Sequence, residues 1–303
     1  MPKRNQFQDR GYQSILSAVD FSPQSSAALQ MAAELARQSG GHLKALYVED
    51  ASVSLGAAAA GYDKTLLRKS NLNQLERLVD RIARSTSLPP DAWSVESLVG
   101  EPATAIVNFA TRMSADLIVM GTNGRRGPAK LFFGSVAQAV LRRTSTPVLV
   151  VARSRPTRSA AKRHNYPVLG AIELGPNDRT DAKRMSATAA LIGGPLTLLH
   201  VVRRVPDLLG TPALLDPHHH RELNEARKRL KEIADRVGAG NQVVLGIPED
   251  EITAAAANMK AGLIVLALRR GRGLFGPRQG TTTYRILCAS TTPVLALPPV
   301  ARR

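Results

Sequence analysis

One cysteine in 303 residues, Cys288, leaves no partner for an internal disulfide and fits a reducing, cytoplasmic setting. Aromatic residues make up only 4% of the chain, too few to furnish a stacking platform for single-stranded nucleic acid. Histidine occurs six times. No Ser-His-Asp or Cys-His arrangement assembles from proximity in sequence, so nothing argues for nucleophilic catalysis. Acids are scarce as well: 24 Asp and Glu face 41 Lys and Arg, a formal charge of +17. That excess suits anionic partners. The basic residues are nevertheless scattered over linker, loops and helix surfaces, so the expectation is at most weak, nonspecific, salt-sensitive nucleic-acid binding. No apolar stretch reaches the about 20 residues that span a bilayer. The opening segment, MPKRNQFQDRGYQ, lacks the apolar core of a signal peptide. The remainder is 44% hydrophobic and 21% charged, an ordinary globular composition. At about 150 residues per domain, the length predicts two domains.

The chain repeats itself. DLIVMG (Asp116–Gly121) lies over GLIVLA (Gly262–Ala267) at an offset of 146, and between Leu98 and Val151 17 of 54 aligned pairs are identical. Nearer the start of each half the offset is 153, with ILSAVDFS from Ile15 over VLGAIELG from Val168. Two copies of one unit account for this. In the first, Ile15–Val19, Leu43–Val48, Trp93–Val99, Leu117–Met120 and Val148–Val151 read as strands buried on both faces. Helices are predicted over Pro23–Gln38, around Leu66–Ile82, over Pro102–Met113 and over Ser135–Arg143. The first has Ser22 as N-cap and ends at Gly40-Gly41. This alternation predicts an α/β fold of two Rossmann-like units, each a five-stranded parallel sheet with four helices. The boundaries expected are 1–152, a basic linker at 153–164, and 165–303, with the second unit's second helix near Arg221–Val237.

Such a sheet binds ligands at the carboxyl ends of its strands. Neither G-x-G-x-x-G nor a P-loop follows the first strand, whose turn reads DFSPQS. Glycines gather instead after the fourth strand, in GTNGRRGPAKLFFGS, a G-x2-G-x9-G-S pattern. Gly121 and Gly124 would allow positive φ and bring amides close to an anion. Gly134 and Ser135 open a helix whose free N–H groups and positive dipole end face the same place. Ser135 would cap that helix or donate to a phosphate, and Arg125 and Arg126 add charge. On spacing alone, turn-making glycines and a plain N-cap explain the pattern equally well.

Taken together, ILSAVDFSPQS and DLIVMGTNGRRGPAKLFFGSVAQAVLRRTSTPVLVV resemble the universal stress protein family of the ATP-binding kind, and the two copies resemble its tandem members. The resemblance implies adenine nucleotide alpha hydrolase-like units and a ligand that is ATP or another adenine nucleotide, with Mg2+ as an optional companion. It implies that Gly121, Gly124, Gly134 and Ser135 hold phosphates and ribose, with Val136 at the same end. Asp20 would contact adenine, Val48 and Met120 would line the base pocket, and Asn123 stands where the family often has His. The bland alternative for Asp20 is a turn residue before Ser22. In the second copy Ala267, Arg270 and Glu173 replace Gly121, Gly124 and Asp20, so no family-like ATP site is expected there. Arg269, Arg270, Arg272 and Arg278 read as a solvated basic loop or a site for another anion.

The implied role is a nucleotide-dependent stress-response module acting through an unidentified protein partner. The second unit would complete an intramolecular pseudo-dimer through the fifth strands, Pro147–Val151 and Pro293–Leu297. Higher homodimers, a slow ATPase or autophosphorylating enzyme, and a basic nucleic-acid binder are the alternatives. His218, His219 and His220 read as a flexible polar loop rather than a metal site, and Cys288 as a small buried thiol.

Overall fold

The apolar runs form strands with almost no polar interruption. In a computed structural model, Ile15 and Leu16 of β1 (Ser14–Val19) and Leu117, Ile118 and Val119 of β4 (Leu117–Gly121) are all fully buried. Strands covered on both faces must be apolar on successive positions. The structure describes residues 11–52, 56, 61, 63–122, 134–151, 166–203, 217–269 and 281–299. Two compact units form: one gathers residues 1–162, 268–278 and 295–303, the other 163–267 and 279–294.

In the first repeat β1, β2 (His42–Asp50), β3 (Trp93–Gly100), β4 and β5 (Val148–Val151) lie in the order β3-β2-β1-β4-β5. The pairings β1–β2, β1–β4, β2–β3 and β4–β5 are all parallel. Strand order reverses beside β1, where Ser17 pairs with Val119 and Val19 with Tyr47. The helices are α1 (Pro23–Ser39), α2 (Lys64–Thr86), α3 (Pro102–Arg112) and α4 (Ser135–Arg143), all within a few residues of their sequence-derived bounds. Ser22 caps α1 by accepting from the Ser25 amide, and Gly40 ends it in the left-handed conformation at φ 61°. The small side chains Ala28, Ala32, Ala33 and Ala36 let α1 lie close on the sheet.

The second repeat follows the same plan. Strands β6 (Val168–Ala171), β7 (Leu196–Arg203), β8 (Gly240–Gly246), β9 (Leu263–Ala267) and β10 (Val294–Leu297) run in the order β10-β9-β6-β7-β8. Its helices are α5 (Asp178–Ile192), α6 (Pro217–Val237), α7 (Pro248–Asn258) and α8 (Thr282–Ala289). Gly193 ends α5 at φ 74°, as Gly40 ends α1. Two expectations change here. Helix α6 begins at Pro217, so His218, His219 and His220 belong to its first turn rather than to a loop. Pro at the start of a helix costs nothing, because its missing N–H would have no partner there. Cys288 on α8 is half-buried, not buried. No described helix is long and apolar enough to cross a membrane. The linker 153–164 lies outside the described residues.

Candidate functional site

The carboxyl ends of β1, β2 and β4 form one edge of the first sheet. Continuing the register from Val19–Tyr47 and Ser17–Val119 puts Val48, Asp20 and Thr122 level across three neighbouring strands. Asp20 is half-buried, and its Oδ1 accepts the Ser22 amide at 3.0 Å. The Asp20 amide donates to Ser25 Oγ at 3.3 Å, and Ser25 in turn donates its amide to the capping Ser22. Asp20 is therefore a turn residue in fact, and that role engages one of its two carboxylate oxygens.

Between Asp20 and Ser22 the backbone is strained. Phe21 sits at φ 62°, a conformation that costs a non-glycine residue about 1–2 kcal/mol. Its ring lies 4.9 Å from that of Tyr47. Other left-handed positions recur in both repeats: Ser114 with Lys260 at the offset of 146, and Ser87 with Gly238 at a helix end. Phe21 has no such twin, for its counterpart Leu174 is not left-handed. The tight turn after β1 belongs to the first repeat.

Gly121 ends β4, paired with Val151, and its φ is not positive, contrary to the sequence expectation. Its reason for being glycine is close approach. A Cβ there would stand 2.9 Å from the Gln24 carbonyl carbon and 3.0 Å from the Ser25 nitrogen, in the first turn of α1. Val48 is half-buried and Met120 is buried at 4% exposure, so the methionine lies mostly beneath the edge. The Gly134 amide donates to the Thr122 carbonyl at 2.6 Å, and the Thr122 amide to the Val151 carbonyl at 3.2 Å. These bonds fasten Thr122 and Gly134 to the strand edge. Asn123, Gly124, Arg125, Arg126 and Gly127 themselves lie outside the described residues.

Helix α4 opens at the same place with Gly134 as N-cap and no side-chain cap. Ser135 is thus the first helical residue, exposed to solvent, and not the cap that sequence allowed. Its amide and those of Val136 and Ala137 have no acceptor within the helix, because Gln138 is the first to bond back, to Gly134. Unaccepted amides and the positive end of the dipole form a place for an oxyanion.

The second repeat is built differently at each matching point. Gly175 replaces the capping Ser22 and has no hydroxyl to offer, and α5 starts at Asp178. Ala267 is accommodated where Gly121 stood. Thr281, the match of Ser135, caps α8 by accepting the Tyr284 amide. Glu173 is exposed, and Thr282 Oγ1 is engaged by Arg203 at 2.9 Å. Arg270, Arg272, Arg278 and Gly280 fall outside the described residues. Among the described residues, no three His, Cys, Asp or Glu side chains are placed to hold a metal ion.

Sequence reasoning missed the charge cluster at the amino end of α3. Glu101 caps that helix, accepting from the Ala103 and Thr104 amides, and receives Arg143 of α4 at 2.9 Å. The Thr104 hydroxyl, more than any other group, holds the Glu101 carboxyl down to about 2, with those amides and Arg143 adding to it against a smaller opposing effect of burial. The pattern Glu-Pro at a strand end, with acid one residue before Pro at the first helical position, was the available signal.

A family model described as the universal stress protein family matches residues 11–152 and again 167–298. The chain belongs to this family. Universal stress protein MJ0531 of Methanocaldococcus jannaschii is 34% identical over 151 residues, covering 48% of this chain and 84% of that protein. A universal stress protein of Mycolicibacterium smegmatis is 24% identical over 291 residues, covering 94% of this chain and 97% of its own. The solved universal stress protein of Archaeoglobus fulgidus has the same fold, with a TM-score of 0.65 at 16% identity, covering 94% of this chain and 98% of that one. The protein is a universal stress protein with its family unit in two copies.

Proposed function

We propose that the first unit binds an adenine nucleotide, ATP foremost, and that the protein acts as a nucleotide-dependent regulatory module. The observation that carries this is the uncapped start of α4, fastened by Gly134 to Thr122 and set at the same strand edge as Asp20. The donors present fit a phosphate: successive main-chain amides with no intrahelical acceptor, and no Cβ at Gly134 to cover them. In this reading Gly121, Asn123, Gly124, Gly134, Ser135 and Val136 attend phosphates and ribose. Asp20 meets the adenine with its second carboxylate oxygen, and Val48 and Met120 border the base. Mg2+ would accompany the phosphates, with no protein ligand assigned. The second unit binds no ATP in this manner, since its corresponding helix start is already covered by Thr281. It serves to complete an intramolecular pseudo-dimer. A partner then reads the segment between Gly121 and Gly134, which requires that nucleotide favour one arrangement of it over another.

Calorimetric titration with ATP, with and without Mg2+, tests this. One site per chain is expected, lost in Gly124→Arg and unchanged in Arg270→Ala. Absence of heat, or two equivalent sites, would overturn it. Labelled ATP incubated with pure protein should show no turnover dependent on Gly124.

A further inference from the structure

Both units carry an open groove between the first helix and the second; in the first unit it starts at Phe21, next to Asp20, and runs from there along the two helices. In the first it has a volume of about 720 Å3 and lies between the start of α1 and the outer face of α2. Phe21, Leu66 and Leu78 supply apolar surface, and Lys69, Arg77 and Arg81 supply charge, with no acid among the described lining residues. Lys69, Arg77 and Arg81 are spaced so that they run along one side of the helix over three turns. All three are exposed and form no ion pair with any described residue. Leu66 stands 65% exposed beside them, one of few large apolar side chains so placed among the described residues.

The same groove in the second unit is a natural control. Aligning Ser87 with Gly238 at the helix ends sets an offset of 151, which puts Glu225 at the place of Gln74, Lys228 at Arg77, Arg229 at Leu78 and Glu232 at Arg81. That groove, about 480 Å3, therefore mixes acids with cations along its wall. Its floor is closed by an ion pair: Arg229 Nε and Nη2 reach Asp178 Oδ2 at 2.8 and 2.6 Å, and Asp178 is only 3% exposed. One scaffold thus carries two versions of one concavity, the second satisfied by its own charges and the first left wholly basic around an apolar floor.

We infer that the first unit's α1–α2 groove is a docking surface for an acidic amphipathic peptide segment of another protein. Acid side chains of such a segment complement Lys69, Arg77 and Arg81, and its leucines cover the exposed Leu66. Nucleic acid fits less well, because Phe21, the one aromatic ring among the groove's described lining residues, already packs on Tyr47.

Fluorescence anisotropy of full-length protein, without nucleotide, with a labelled peptide of repeated Glu-Glu-Leu units tests this independently of the ATP reading. Binding is expected. It should weaken roughly tenfold or more in Arg77→Glu/Arg81→Glu, and measurably in Leu66→Ser. Lys228→Glu in the other groove should leave it unchanged. All four positions are solvent-facing, and far-UV circular dichroism verifies that the variants remain folded. Equal affinity for the double variant would overturn the inference. So would equal affinity for polyglutamate lacking leucine, or displacement of the peptide by single-stranded oligo-dT or by phosphatidylserine vesicles at lower concentration.

Discussion

Gly121 shows how one hydrogen in place of a methyl group sets a site's geometry. The first turn of α1 approaches the end of β4 so closely that even alanine collides with the backbone of Gln24 and Ser25. Backbone cannot yield as a flexible side chain would. Gly121→Ala is therefore expected to destabilise the protein by about 1–3 kcal/mol, read from urea unfolding, and to weaken nucleotide binding in the same variant. Gly124→Arg is the cleaner probe of binding. Glu101 gives a second prediction at this scale. Its folded pKa of about 2 lies below its ordinary 4.5, so the carboxylate's contribution is complete above about pH 4.5 and is lost as pH falls toward 2. Glu101→Gln should lower the melting temperature at neutral pH and flatten its decline across that acid window.

Helix ends distinguish the two repeats more sharply than their sequences do. Thr281 accepts the Tyr284 amide, whereas Gly134 offers nothing to α4. Thr281→Ala should cost about 1 kcal/mol of stability and Ser135→Ala close to none, by denaturant titration of each variant. Asp178 extends the contrast. It is buried at the start of α5 and accepts from Arg229 of α6 as well as from the Gly175 and Arg179 amides. Removing the guanidinium in Arg229→Ala leaves a buried carboxylate short of donors, at an expected cost of about 1–3 kcal/mol. Ser25, the match of Asp178 in the first repeat, spends its hydroxyl within the Asp20–Ser22 turn instead.

For the whole molecule, the two copies of the family unit differ at the edge where nucleotide is proposed to bind. The first unit has Gly121 and Gly124, the uncapped start of α4 and the left-handed Phe21; the second has Ala267 and Arg270, a Thr281 cap on α8 and no left-handed residue at Leu174. Restoring only Ala267→Gly and Arg270→Gly should leave calorimetric stoichiometry at one ATP per chain, because the Thr281 cap and the later start of α5 persist. A second site appearing in that double variant would show that glycine alone separates the units.

The strands and helices of the first repeat were legible nearly residue by residue, since uninterrupted apolar runs such as Leu117–Met120 and the Ser22-Pro23 start carry their own physical reasons. The repeat offsets located the matching elements of the second. Short-range chemistry thus decided which segments are strand and which helix, and the spacing of glycines pointed to the strand edge where nucleotide is proposed. Tertiary packing alone decided why Gly121 is glycine, which residue caps α4, and that His218–His220 begin a helix. It also joined Glu101 to Arg143, Asp178 to Arg229 and the cations of α2 to Phe21. The approach of Gly121 to α1 and the pairs Glu101–Arg143 and Asp178–Arg229 each bring together groups distant in sequence, a relation that linear order does not contain.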